Sequence, residues 1–190
     1  MRTAVRCPWA GDDADYCSYH DHEWGVPVHN DTKLFEMLIL EGFQAGLSWI
    51  TILRKRPVFT KAFCNWDIQR VARFTEHDVE RLMNDAGIVR NHRKITAAIA
   101  NAQGVLEIIR EYGSFDHYIW QFNEGKTIRP ASPYKTLKEV PCTTAVSDTM
   151  STTLKKRGFS FVGSVICYSF MQAVGIVDDH IADCFKHKKS

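Results

Sequence analysis

The sequence predicts an all-α fold. Apolar residues recur at helical spacing in several segments, and residues that commonly cap helices stand before those segments. No segment shows the sustained alternation of apolar and polar residues that is typical of a half-buried strand. The chain has 190 residues, of which 45% are hydrophobic, and this suits one domain or two lobes that share a core.

The first predicted helix lies in the most apolar part of the chain. It is predicted to begin near Lys33, with Asp31 or Thr32 as its cap. Two glycines, Gly42 and Gly46, interrupt this helix, and the helical pattern resumes directly after the second glycine. The segment before it, residues 1–30, shows little periodicity and therefore needs something other than an apolar stripe to order it.

One carboxylate stands in the middle of this apolar stretch. Glu41 is flanked by Leu40 and Phe43, and burying an unpaired carboxylate costs on the order of several kcal/mol or forces its protonation. Two interpretations stay open from this stretch alone. Glu41 either turns to solvent or to backbone N–H groups at the helix end, or it faces a cavity in which a ligand meets it.

Two helices joined by a tight turn are predicted next. Thr75 and Asp78 have the spacing of a capping box, with Asp in place of the usual Glu, at the start of a short helix. The turn covers residues 86–91 and includes a glycine. A clean apolar stripe then marks a long helix, and its members are Ile95, Ala98, Ile99, Ala102, Leu106 and Ile109.

This pair of helices has the pattern of a helix–hairpin–helix. Its turn exposes backbone N–H groups at a helix N-terminus, and those groups bind a phosphate without reading base sequence. An ordinary αα-hairpin is common and stays the alternative. The residues expected on the phosphate track are Gly87, Val89, Arg90, Arg93 and Lys94.

Three further elements follow along the chain. Ser114 can cap a helix, and residues 125–146 form the longest irregular region, with three prolines. Ser147 is predicted to start a helix that ends at Gly158. A strongly apolar segment then predicts a buried helix from about Gly163.

Cysteine and histidine residues near the two ends of the chain form a candidate metal site. On a helix, the spacing of His180 and Cys184 would place both side chains on one face. Cys7 and His20 would complete a Cys2His2 set that fits a structural zinc ion, with Cys17 and His22 as rival ligands. Unrelated cysteines and histidines are the alternative. A metal here would clip the aperiodic N-terminal segment to the C-terminus.

The composition limits the classes of function. No run is long and apolar enough to span a bilayer, and the N-terminus lacks a signal-peptide apolar region, so we expect a soluble, cytoplasmic protein. Six cysteines in such a protein should be reduced. The net charge of +2 does not by itself indicate nucleic acid. Basic triplets at residues 54–56 and 155–157 are typical of solvated surface as well as of phosphate contacts.

Long motifs, in order along the chain, resemble the bacterial 3-methyladenine DNA glycosylase I family. The resemblance runs from about Arg6 to Cys184. Its motifs are Cys7-Pro8-Trp9, residues 19–27 (YHDHEWGVP), residues 40–49 (LEGFQAGLSW), residues 85–90 (DAGIVR), residues 155–163 (KKRGFSFVG) and residues 168–173 (YSFMQA).

The resemblance implies a helix–hairpin–helix glycosylase fold in two helical lobes, one over residues 31–146 and one over residues 1–30 plus 147–190. It implies a structural Zn²⁺ that joins the two termini, and alkylated double-stranded DNA as the partner of a monomeric enzyme. The implied reaction removes N3-methyladenine from DNA without a lyase step. The implied zinc ligands are Cys7, His20, His180 and Cys184.

The resemblance also implies roles for individual residues. Glu41 would recognise the amino edge of the cationic base, and stacking on aromatic faces would hold that base. A wedge that fills the gap left by the flipped base is expected from Gln44, Gly46 and Leu47, with a plain helix kink as the alternative. The aromatic candidates for the base pocket are Trp9, Tyr19, Trp24 and Trp49.

One departure from the wider superfamily concerns catalysis. The helix after the hairpin offers Glu107 and Glu111 in a surface-like setting but no Asp, so the group that activates water is unassigned. Departure of a base that is already charged is our hypothesis for the reaction. A helical module that binds DNA without catalysis, and a binder of small purines, are the other readings of the sequence.

Overall fold

The fold is all-α, as predicted. The computed structural model describes residues 4–187, and the only β-pairing in this range is an isolated bridge between Ile128 and Val177. None of its helices is long and apolar enough to cross a membrane. The α-helices in this range are α1 Ala14–His22, α2 Asp31–Gln44, α3 Trp49–Ala62, α4 Ile68–Val71, α5 Glu76–Met83, α6 His92–Tyr112, α7 Phe115–Trp120, α8 Ala145–Lys156 and α9 Ser164–Ala173.

Helix α2 lies at the centre of the fold. Leu34, Leu38 and Leu40 are fully buried, and the helix packs against α3, α6, α7 and α9. It begins at Asp31, not near Lys33, because the Asn30 side chain caps it by accepting a hydrogen bond from the Lys33 N–H at 2.9 Å. The core is therefore built around the helix that carries Glu41.

The break between α2 and α3 lies later than the sequence predicts. Gly42 does not interrupt α2, which continues to Gln44. The turn comes at Gly46, which has φ +79°, a conformation that favours glycine. Helix α3 begins at Trp49, two residues after the predicted start.

The helical hairpin of α5 and α6 is confirmed. Asp78 Oδ2 accepts hydrogen bonds from the backbone N–H and hydroxyl of Thr75 at 3.0 and 3.2 Å, as expected of a capping box. Asn91 caps α6 by accepting from the Lys94 N–H. Ile88 in the turn is buried, so the turn is anchored by one apolar side chain and presents its outer face to solvent.

The C-terminal helices match the prediction with small shifts. Helix α8 begins at Ala145, not at Ser147, because Thr144 caps it and accepts from the Ser147 N–H at 3.3 Å. Helix α9 begins directly after Gly163, as predicted. The irregular region before α8 contains one 3₁₀ turn at Leu137–Glu139.

The two ends of the chain differ most from the prediction. The aperiodic N-terminal segment contains α1, which Asp13 caps by accepting from the N–H groups of Asp15 and Tyr16. His180 and Cys184 lie in an irregular segment and not on a helix, so their proximity has another cause. The outer ends of the predicted lobes, residues 1–3 and 188–190, lie outside the described residues, and the division into lobes stays a prediction.

Candidate active site and metal centre

A cavity of about 380 Å³ opens between α1, the α2–α3 turn and α9. The four aromatic residues predicted for a base pocket all line it, together with Glu41 and Gln44. The residues that line the cavity are Trp9, Tyr16, Tyr19, Trp24, Glu41, Gln44, Trp49, Leu137, Val140, Pro141, Cys142, Val165, Tyr168, Ser169, Gln172 and Asp179.

Glu41 is the electrostatic centre of this cavity. Its residue is only 5% exposed, and none of the described residues donates a hydrogen bond to its carboxylate. Burial raises its pKa from the ordinary value of 4.5 to about 8. Of the two interpretations left open by the sequence, the structure therefore favours a carboxylate that faces a cavity and lacks a partner.

We predict that Glu41→Gln stabilises the folded protein at alkaline pH. The raised pKa means that the folded state holds this proton more tightly than the unfolded chain between pH 4.5 and about 8. Stability of the natural protein therefore falls as pH rises through that window, by about 1.4 kcal/mol per unit of pKa shift. Urea unfolding at about pH 5 and about pH 9 should show a gap between variant and natural protein that grows with pH. A gap that is constant or shrinks contradicts the buried, unpartnered carboxylate.

The aromatic walls form two pairs. The rings of Tyr19 and Trp49 lie 5.3 Å apart, and those of Trp9 and Trp24 lie 5.1 Å apart in an edge-on arrangement. The indole N–H groups of Trp9 and Trp49 are buried, and neither has an acceptor within residues 4–187. The cavity therefore presents aromatic faces and the unpaired Glu41 carboxylate, which together suit a flat cationic ring.

Sequence reasoning missed several residues of the cavity. The Tyr16 hydroxyl accepts a hydrogen bond from the Ile50 N–H at 3.0 Å and so joins α1 to the first turn of α3. Asp179 is a second buried carboxylate, and its Oδ2 accepts from the Tyr168 hydroxyl at 2.6 Å and from Gln172 at 2.7 Å. Burial raises its pKa. The four-residue spacing of Tyr168 and Gln172 on one face of α9 was the signal available in the sequence.

Three predicted metal ligands come together behind the cavity. Cys7, His20 and Cys184 are buried, and their ligand atoms lie within 4.8 Å of one another. The ring of His20 is oriented by Asp21, whose Oδ1 lies 2.8 Å from Nδ1, which leaves Nε2 toward the two sulfur atoms. A carboxylate on the outer nitrogen of a histidine is the usual support of a metal ligand.

The predicted fourth ligand lies beside this group. His180 Nδ1 lies 2.7 Å from Asp178 Oδ1, which repeats the arrangement at His20. Its Nε2 is buried and has no partner among the described residues. The rings of His180 and His20 lie 5.1 Å apart. An orphaned ring nitrogen of this kind next to a Cys2His group fits a fourth ligand.

The two cysteines of the group shift each other's pKa in opposite directions. A hydrogen bond from the Cys7 thiol lowers the pKa of Cys184, while the same bond raises the pKa of Cys7. A thiolate is the form of cysteine that binds metal. The rival ligands are used elsewhere: Cys17 lies against the Gly11 carbonyl, and His22 Nδ1 lies 2.9 Å from the Ser18 carbonyl.

The residues predicted to contact DNA lie on the turn before α3 and on the hairpin. Leu47 is 43% exposed although it is apolar, and Gln44 reaches the cavity. Arg90 and Arg93 are exposed, whereas Gly87 and Val89 are half-buried. Lys94 is buried, and its ammonium donates to the carbonyls of Phe43 and Ala45 at 2.8 and 2.6 Å.

A sequence model described as methyladenine glycosylase matches residues 9–187. The chain belongs to the methyladenine glycosylase family. The DNA-3-methyladenine glycosylase 1 of Escherichia coli (strain K12) is 49% identical over 180 residues, which are 94% of this chain and 95% of that protein. The DNA-3-methyladenine glycosylase of Haemophilus influenzae is 44% identical, over 95% of this chain and 96% of that protein.

Solved structures of the family share the fold. A crystal structure of 3-methyladenine DNA glycosylase I matches with a TM-score of 0.93 at 47% identity, over 97% of this chain and all of that chain. A variant of 3-methyladenine DNA glycosylase I in complex with 3-methyladenine matches with a TM-score of 0.92 at 36% identity, over 97% of this chain and 98% of that chain. The predicted family and its helical fold are confirmed.

Proposed function

We propose that this methyladenine glycosylase removes N3-methyladenine from alkylated double-stranded DNA by hydrolysis and leaves an abasic site. The observation that carries the proposal is Glu41, a buried carboxylate without a partner in a cavity walled by aromatic rings. A module that only binds the DNA backbone has no use for such a cavity. We propose further that the enzyme acts as a monomer in the cytoplasm.

The chemistry requires little acid–base catalysis. N3-methylation gives the adenine ring a positive charge, so the bond between the sugar C1′ and the base N9 breaks with its electron pair going to the base, which leaves neutral. Water then adds to C1′ and releases a proton. Glu41 would accept hydrogen bonds from the amino edge of the base. The positive charge of the bound ring would lower the raised pKa of Glu41 and ionise it, and this attraction favours the cationic ring over ordinary adenine. The aromatic walls add about 0.5–2 kcal/mol each by cation–π attraction.

The base reaches the cavity only after it leaves the duplex. Leu47 is an exposed apolar residue on the turn next to the cavity, and we propose that it fills the gap in the base stack. The backbone N–H of Val89 would hold a phosphate, with Arg90 and Arg93 beside it, whereas the Gly87 N–H already donates to Asp85 Oδ1 at 2.8 Å. These contacts position the duplex without reading its sequence.

The residues behind the cavity fit a structural Zn²⁺. Cys7, His20, His180 and Cys184 supply two sulfur and two nitrogen ligands, and both imidazoles have a carboxylate on the outer nitrogen. Four protein ligands leave no open coordination position, so the ion would have a structural role. It would hold the N-terminal segment that carries Trp9 and Trp24 against the C-terminal segment.

The hydrolytic reaction makes a specific prediction for the DNA product. Methylated duplex treated with the protein should gain abasic sites that react with an aldehyde probe, while the strand stays intact until alkali is added. Borohydride should trap no covalent complex, because none of the described residues that line the cavity carries an amine. Tight binding to duplex without abasic sites would instead identify a non-catalytic DNA-binding module.

A further inference from the structure

We propose that Lys55 and Lys94 are positioning residues that hold the DNA-binding hairpin against the base cavity. Lys55 binds the hairpin from the cavity side, and Lys94 binds the cavity side from the hairpin. Both belong to basic clusters whose lysines are natural candidates for phosphate contacts. In the structure, each ammonium instead binds two main-chain carbonyls of the other element. The inference rests on the proposed function, because it concerns how a phosphate contact and a flipped base are kept in register.

Lys55 reaches from α3 to the hairpin turn. Its Nζ donates to the carbonyls of Ala86 and Gly87 at 3.1 and 3.2 Å. These carbonyls therefore point toward α3, which directs the turn's opposite side toward solvent. Val58, one turn further along α3, packs against Gly87. A Cβ added at Gly87 would lie 2.5 Å from the Cγ1 atom of Val58. The hairpin thus needs glycine there to dock against α3.

Lys94 reaches in the opposite direction, from the hairpin to the cavity. It lies in the first turn of α6, and its Nζ donates to the carbonyls of Phe43 and Ala45 at the C-terminal end of α2. Helix C-termini have unsatisfied carbonyls and favour a cation. The same helix end carries Glu41 and Gln44. Burial lowers the pKa of Lys94, and its side chain is closed to solvent.

The two lysines bind on either side of the α2–α3 turn in the sequence. Lys94 fixes the start of the α2–α3 turn, and Lys55 lies on the helix that follows it, whose first residue, Trp49, lines the cavity. The wedge residue Leu47 lies between the two. A shift of the hairpin along a DNA backbone would therefore also move the end of α2 and the start of α3, which both line the cavity. A displacement of about 1 Å between a bound substrate and the reacting groups can cost on the order of 100-fold in rate.

The two arginines of the α3 triplet also make contacts within the protein. Arg56 binds Glu36 at 2.7 Å and Glu23 at 2.8 Å, and Arg54 binds Asp13 at 2.6 Å. The triplet on α3 is therefore a set of structural cations. In contrast, Arg93 is exposed and makes no ion pair within residues 4–187. Arg93 therefore serves as the control residue for the two lysines that position other groups.

The test uses three methionine variants of the full chain: Lys55→Met, Lys94→Met and Arg93→Met. Methionine keeps the apolar stem and removes the donor. Three quantities are measured for each: the salt dependence of duplex binding, the single-turnover rate of N3-methyladenine release at saturating protein, and the affinity for free 3-methyladenine by tryptophan fluorescence.

For the lysine variants we expect release to slow by about tenfold or more, because the cavity and the hairpin lose their register. The salt dependence of binding and the affinity for the free base should stay as in the natural protein. Arg93→Met should behave differently: the slope of log affinity against log salt should fall by about 0.9.

Lys55→Met is the decisive variant. Lys55 is only half-buried, so its replacement should disturb the core less than replacement of the buried Lys94. If Lys55→Met releases base at the natural rate, or if its salt slope falls as for Arg93→Met, the positioning role is wrong. A lower affinity for the free base would also overturn it, since the cavity itself would then be damaged. Failure of the proposed function has another signature, which is that the natural protein releases no base.

Discussion

Glu41→Gln is expected to slow the excision of N3-methyladenine by about 100-fold or more, equivalent to about 2.7 kcal/mol of transition-state stabilisation. The amide keeps the size of the side chain but loses the negative charge that faces the cationic base. It also replaces one acceptor oxygen by a donor, which opposes the amino edge of adenine. Duplex binding should change little, because Glu41 is buried away from the phosphate track.

The matched control for this substitution is Glu107→Gln. Glu107 is an exposed residue of α6, and the substitution makes the same change from a carboxyl group to an amide. Its excision rate should equal that of the natural protein. Both rates are measured in single turnover with saturating protein, beside the duplex affinity. Equal losses of excision and of binding in Glu41→Gln would mean that Glu41 supports the structure and not the chemistry.

Loss of the metal is expected to have the largest effect on stability. Structural zinc contributes on the order of 10 kcal/mol in small zinc domains, and a typical domain has a total stability of about 5–15 kcal/mol. Cys184→Ser, or a strong chelator, should therefore lower the melting temperature steeply. Loss of the metal should also disrupt the shape of the cavity, because the Trp24 ring lies 4.7 Å from His180 and the Trp9 ring lies 5.4 Å from His20.

Cys17→Ser is the control for the zinc prediction. Cys17 lies on α1, three residues before the proposed ligand His20, but its thiol donates to the Gly11 carbonyl. This variant should bind one zinc ion per chain and melt like the natural protein. Metal content by elemental mass spectrometry and melting curves with and without chelator give the answer. A natural protein that carries no metal, or that melts unchanged after chelation, would contradict the structural zinc site.

The parts of the fold that the sequence predicted well are those with a strong local signal. The apolar stripe of α6 and the Thr75 capping box both mark their helices without reference to the rest of the chain. Helix α1 has no such signal, because its inward face combines Tyr19 with the polar His20 and its order depends on partners far along the chain. Contacts between distant segments are invisible to periodicity.

The residues of the cavity likewise divide into those that a local sequence signal identifies and those that only the fold brings together. Glu41 could be found from the sequence because a carboxylate in an apolar run is costly and needs a reason. Asp179 could not, because it stands in a polar tail and only the fold brings it to Tyr168. The basic clusters were ambiguous for a similar reason: a lysine that binds carbonyls and a lysine that binds phosphate have the same sequence context.

The most direct test of the account is the identity of the bases released from methylated duplex DNA. Purified, zinc-loaded protein is incubated with the duplex, and the freed bases are separated by chromatography and identified by mass. We expect enzyme-dependent N3-methyladenine with little N7-methylguanine, since the Glu41 carboxylate can accept from the amino group of adenine, whereas guanine presents a carbonyl oxygen there. No release by a folded sample that still binds DNA would contradict the central claim and leave a DNA-binding module.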